Sequence, residues 1–246
     1  MRVPYSSSNV RLNEFFQNLT NSLQSGTFCD VTFSVDNQQF PCHRIIVASY
    51  SPYFQALLTH QFKENHQHTI ELTNIDSSIF SLILQYMYSG KIEIDDDYVR
   101  ELFVASDMFQ LDEIVQFCCH YMSISLNEQN VIETWRIANK IECSSLKNDA
   151  ENYVLMHFRG LIRRDLIKHL PKSLFIQTIS HDDLIVDHEH QVLEAILVWY
   201  LNNREQPFEQ LLDNVRLEFI SKEHQTMILN QIGLVNQLSN IVFFLL

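Results

Sequence analysis

Eleven histidines in 246 residues raise metal chemistry first. His66 and His68 alternate in the polar run HQFKENHQH, and His188 and His190 alternate beside Asp187 and Glu189. A catalytic zinc needs three protein ligands and outer hydrogen bonds that orient them. Neither cluster has two histidines at i, i+4, the spacing that puts both on one helix face. DHEH reads more simply as the polar first turn of a helix. Asp95, Asp96 and Asp97 read as a helix start, where the macrodipole favours negative charge, and no neighbour completes a calcium shell. Cys42 stands beside His43, but sequence neighbours on a turn seldom face each other. There is no G-x-S-x-G elbow and no P-loop. The reading is binding, not catalysis, with no metal or other cofactor; a metal enzyme is a rival that metal analysis would decide.

Three other residues stand out, although Asp30 and Arg44 could each separately be a plain surface charge. Asp30 and Arg44 are charged residues flanking apolar runs. Buried charges persist mainly when paired, so the two are expected to form a structural pair worth ~3–5 kcal/mol if buried. Phe62 is a lone aromatic in the polar run His60 to His68. It either folds back on the core or anchors a partner, as aromatic residues do at interface hot spots.

Composition narrows the classes. Apolar residues make up 46% and charged residues 19%, enough for a real core. The length suits two modest domains at ~100–200 residues each. Only 4 glycines and 5 prolines argue for helices with short connections. A net charge of −13 with scattered basic residues disfavours nucleic acid. Arg159, Arg163 and Arg164 read as a solvated helix face. Five cysteines without a C-x-x-C pair fit a reducing compartment. No apolar run approaches the ~20 residues of a membrane span, and the N-terminus has no apolar secretory core. We expect a cytoplasmic protein, with the nucleus as a second location, and no membrane partner.

The stretch Cys29 to Phe54 organises the elements. Val31, Phe33 and Val35 alternate with Thr32 and Ser34, as in a half-buried strand. Asp36 and Asn37 tolerate turn geometry. Gln38 to Phe40 reads as a return strand that Pro41 stops. Ile45, Ile46 and Ala48 begin a helical turn, and Ser51 caps a helix with Pro52 at its first position. Residues 1–9 read as a tail. Asn9 then opens a helix with the stripe Leu12, Phe15, Phe16, Leu19 and Leu23, ended by Gly26. That stripe packs either internally or against another chain. Thr69 to Leu72 and Lys91 to Ile94 read as short strands. Between them Asp76 caps a helix burying Ile79, Phe80, Ile83, Leu84 and Met87. Two more helices bury Val99, Leu102, Phe103 and Ser106, then Val115, Cys118, Cys119 and Met122. From Asn127 only helices are expected. They start at Asn127, near Ser144, at Arg163, at Pro171, at Asp187 and at Pro207.

The strings CDVTF and FPCHRIIVASYSPYF resemble the start of a BTB/POZ domain. LPKSLFIQTISHDDLIVDHEHQVLEAILVWY and LLDNVRLEFIS resemble the BACK domain that follows BTB in many substrate adaptors. The resemblance implies an α+β protein: a BTB domain over 10–125, with a small mixed sheet wrapped by helices, then an all-α BACK domain over 126–246. It implies a homodimeric substrate adaptor of a cullin-3 ubiquitin ligase. Its partners would be cullin-3, a second copy and an unknown protein substrate. Leu12, Phe15, Phe16, Leu19, Asp30 and Arg44 would lie at the dimer interface. Phe62-Lys63-Glu64 fits the hydrophobic-x-Glu motif of cullin-binding BTB domains, and the turn Phe109-Gln110-Leu111 would add contacts through Phe109 and Leu111. A BTB scaffold or transcriptional co-regulator that dimerises without a cullin is the alternative. No ~50-residue kelch repeat with paired glycines follows, so the chain is a short family member or an excised fragment.

Overall fold

The computed structural model describes residues 9–59, 69–203, 211–213, 215–216, 219–223 and 226. The chain divides into two compact units, 1–122 and 123–246. The first is α+β. In chain order it holds helix α1 (Asn9–Ser25), the strands β1 (Val31–Val35) and β2 (Gln38–Cys42), and the helices α2 (Arg44–Tyr50) and α3 (Pro52–Thr59). Strand β3 (Thr69–Glu71) and the helices α4 (Ser77–Ser89), α5 (Val99–Met108) and α6 (Asp112–Ile124) follow, with the divide between units in the last turn of α6.

The sheet order is β2-β1-β3, with β2 antiparallel and β3 parallel to β1. Asp36 (φ 48°) and Asn37 (φ 64°) both adopt the left-handed region, the requirement of a two-residue type I′ hairpin. Pro41 does not end β2. It pairs with Thr32, and β2 runs on to Cys42. The reason is that β2 is an edge strand. The hairpin's closing pair, Val35 and Gln38, points its main-chain groups inward, so those of Gln39 and Pro41 turn outward. Pro41 thus lacks a donor that no strand of the sheet would use.

The core of this unit is aromatic. Phe33 packs on Phe54 at 5.2 Å and on Phe80 at 5.6 Å, and Phe54 packs on Phe109 at 4.8 Å. α4 supplies the stripe expected of it, together with buried Tyr86 and Tyr88. Asp76 caps it through the Ser78 N–H, and Gly90 ends it at φ 66°. The expected strand at Lys91 to Ile94 does not form. Ile92 and Ile94 alternate with exposed Lys91 and Glu93, but the segment pairs with none of the three strands, and without a ladder the alternation makes no strand. α2 buries Val47 and leaves Ile45 exposed. α6 buries Ile114, Cys118 and Met122, so its inward stripe is centred one residue before Val115 and Cys119.

The second unit is all-helical among the described residues. It contains α7 (Val131–Lys140), α8 (Ser144–Met156), α9 (Phe158–Arg163), α10 (Lys172–Ile179) and α11 (His190–Asn203), with a 3-10 turn at Ile167–His169. Asn127 does not begin a helix directly. Its carboxamide oxygen accepts from the Gln129 and Asn130 N–H groups, forming a turn that leads into α7. The helix expected over Arg163 to His169 is broken. Asp165 takes φ 58° and the Leu166 N–H returns to the Leu161 carbonyl, the Schellman ending of α9. Asp187 does not cap α11; its carboxylate pairs with Arg159. Arg164 pairs with Glu128, so two of the three arginines read as a solvated face hold ion pairs. Phe175 stacks on Trp199 at 4.8 Å, and the Trp199 indole donates to the Leu170 carbonyl at 2.8 Å. The helix expected from Pro207 lies outside the described residues.

Candidate functional site

Two regions of the first unit hold the residues singled out for protein contacts. The first is α1 with the strand ends beside it. α1 docks on the C-terminal end of α4. The Thr20 hydroxyl donates to the Tyr88 carbonyl at 3.2 Å. The Phe16 ring lies 3.6 Å from where a Cβ on Gly90 would sit, an ordinary contact distance, so the glycine serves the left-handed ending of α4 and not the packing of Phe16. Phe16, Leu19 and Leu23 are half-buried. Leu12 is 46% exposed and Phe15 55%. The stripe is therefore divided: Phe16 serves the packing of α1 on this chain, while Leu12 and Phe15 face outward.

Asp30 and Arg44 do meet, but not as a buried ion pair. The Asp30 carboxylate accepts from the Arg44 main-chain N–H at 2.7 Å, and Arg44 Nε donates to the Asp30 carbonyl at 3.3 Å. Asp30 is exposed and Arg44 half-buried. His43, the residue before α2, makes no side-chain cap, so Asp30 caps α2 from across the hairpin. Sequence reading missed the apolar residues next to this pair. Phe28 (φ 64°) is 86% exposed and Ile45 is 73% exposed. The signal for Phe28 was its place between Gly26 and the first strand, where a turn leaves a side chain little to pack on.

Cys42 and His43 are structural. Cys42 is fully buried, and burial above all pushes its thiol up to about 12, far from a thiolate at neutral pH. The His43 main-chain N–H donates to the Tyr88 hydroxyl at 2.8 Å, and the His43 ring nitrogens lie 2.7 Å from that hydroxyl and 2.9 Å from the Thr27 carbonyl. The bonds close if Tyr88 donates to Nδ1 and Nε2–H donates to Thr27. His43 then ties the turn after α1 to the end of α4. Burial raises the Tyr88 phenol, which stays protonated in this network.

The second region is the turn after α5. The Leu111 N–H returns to the Ser106 carbonyl at 2.8 Å, and Gln110 takes φ 55°, a Schellman ending without glycine. Phe109 is fully buried, and Leu111 is 4% exposed. The expected contact through their side chains is corrected: both point into the core, and the exposed side chain of the turn is Gln110. The Ser51 hydroxyl donates to the Phe109 carbonyl at 2.6 Å and accepts from the Phe54 N–H, so one residue caps α3 and fixes this turn. Nearby, the Tyr86 hydroxyl donates to the Glu113 carboxylate, and burial with that neighbour raises the Tyr86 phenol. Phe62 and Glu64 lie outside the described residues, as do His66 and His68. The rings of His188 and His190 stack at 5.2 Å. Among the described residues no three His, Cys, Asp or Glu side chains group as metal ligands.

Two family models match the chain. Residues 19–126 match the BTB/POZ domain and residues 131–230 match BTB And C-terminal Kelch, the BACK domain. Human Kelch-like protein 5 is 28% identical over 211 residues, which are 85% of this chain and 28% of that protein. Kelch-like protein 40 of Xenopus tropicalis is 28% identical over 209 residues, 84% of this chain and 34% of that protein. The chain thus spans about a third of the length of the curated relatives it matches. The solved BTB domain of zebrafish PATZ1 superposes with a TM-score of 0.45 at 23% identity, covering 50% of this chain and 100% of that one.

Proposed function

Since the chain belongs to the proteins in which a BTB/POZ domain is followed by a BACK domain, we propose that it is a homodimeric substrate adaptor of a cullin-3 RING ubiquitin ligase. The observation that carries this reading is the BTB-then-BACK order, shared with Kelch-like relatives over more than four-fifths of the chain. The chain works by binding and performs no chemistry itself. It holds a protein substrate near the ubiquitin-loaded enzyme and so raises the effective concentration of the reacting groups. Its compartment is the cytoplasm, and the nucleus as well.

The dimer seam is built on outward Leu12 and Phe15, backed by Phe16 and Leu19, with Asp30 and Arg44 at its margin. Exposed Phe28 and Ile45 extend it. Phe62 is the cullin anchor, Glu64 fixes its loop, and Gln110 takes the contact role first given to Phe109 and Leu111. Calorimetry with a cullin-3 N-terminal fragment tests this reading. Binding is expected, and Phe62→Ala is expected to cost ~2 kcal/mol, roughly thirtyfold, with the fold intact. Equal binding by both proteins would remove Phe62 from the interface. No binding by either would leave the co-regulator reading.

A further inference from the structure

We propose that the open edge of β2 is a docking slot for an extended, uncharged segment of a protein partner, which adds beside β2 as a fourth strand. The slot shares no residue with the cullin contact proposed above and does not depend on it.

A groove of about 560 Å³ runs along this edge. Thr20, Leu23 and Gln24 of α1 form one wall, and Gln39, Phe40 and Pro41 of β2 form the other. Ser81, Leu84, Gln85 and Tyr88 of α4 complete the lining. A strand laid beside β2 would therefore extend the three-stranded sheet over a helix that already supports it.

Three features specify the occupant. The register turns the N–H and C=O of Gln39 and the C=O of Pro41 outward, groups that an extended main chain can pair with. Pro41 offers no donor, so pairing stays short and the edge does not template open-ended stacking. None of the lining residues is charged, although the chain carries a net charge of −13. A charged side chain entering the groove would lose water without gaining a counter-charge, whereas a neutral one does not. Half-buried Leu23 and Phe40 offer contact to one large apolar side chain, and exposed Gln24, Gln39 and Gln85 can bond to peptide groups.

A phage-displayed library of random twelve-residue peptides, panned on the full chain, tests the slot. The enriched peptides should share an uncharged run around one large apolar residue. Their affinity should fall at least tenfold on Ser81→Arg and on Gln39→Pro, two exposed positions whose variants should melt like the parent. N-methylation of alternate peptide amides should cost a similar factor, which contact through side chains alone would not. The proposal is overturned by no enrichment above background, by charged consensus peptides, or by unchanged affinity on both variants. It is overturned equally if peptides bind only after residues 2–8 are deleted, or only to the monomer at high dilution. Those results would make the chain's own terminus or a second copy the occupant.

Discussion

The α1 region and the turn after α5 were both read from sequence as contact surfaces, and they turn out to face opposite ways. At α1, Leu12 and Phe15 stand 46% and 55% exposed on a helix whose other side is docked on α4. At the turn, Phe109 is at zero exposure and packs on Phe54 and Tyr53 at 4.8 and 5.3 Å. An apolar side chain near a surface turn is thus a poor guide to binding until its direction is known. In the first region apolar area is available to a partner; in the second it is already used by the fold.

The largest expected effect comes from the inward region. Phe109→Ala should destabilise the chain by ~3–5 kcal/mol, read as a shift in the denaturant midpoint. An unchanged midpoint with lost cullin binding would put Phe109 back on the surface. Next, Leu12→Asp with Phe15→Asp should abolish the dimer while the melting of the monomer stays close to that of the parent. A dimer that survives this double change would place the seam elsewhere.

Asp30 sharpens the contrast, because its role changed between sequence and structure. As a buried ion pair with Arg44 it would be worth several kcal/mol. As an exposed cap of α2 it should be worth about 1 kcal/mol, so Asp30→Ala should shift the denaturation midpoint only slightly. A loss of 3 kcal/mol or more would show that the pair is buried in the assembled protein. The smallest effect belongs to Asp76. The Ser78 hydroxyl and N–H hold its carboxyl below the ordinary value of 3.8. A lowered folded-state pKa stabilises above the unfolded value, and that contribution disappears as pH falls through the lowered one. Asp76→Ala should therefore melt below the parent at pH 7 and converge with it in strong acid. Equal melting at pH 7 would remove the cap.

Much of the fold was legible because it depends on local signals. Alternation gave β1, Asp36-Asn37 gave the hairpin, and Asp76 and Ser51 gave the helix starts. Three of the misreadings share one cause: each needed a distant partner. Lys91 to Ile94 has strand alternation, but a strand exists only with a neighbour. Pro41 stops a central strand and not an edge strand, and edge position is a property of the sheet. Asp187 looks like a cap until Arg159, far away in sequence, takes its carboxylate. At the candidate site, spacing identified Leu12 and Phe15 but could not divide their stripe into docked and outward faces. Nor could it show that Phe28 and Ile45 stay exposed, because burial depends on what the other elements cover.

The most direct measurement is light scattering on the chain alone and with a cullin-3 N-terminal fragment. The account predicts a single species at twice the 29.0 kDa of the chain. The species should gain two fragments on mixing, and Phe62→Ala should remain a dimer while losing that gain. A species of 29.0 kDa that takes up no fragment would contradict it.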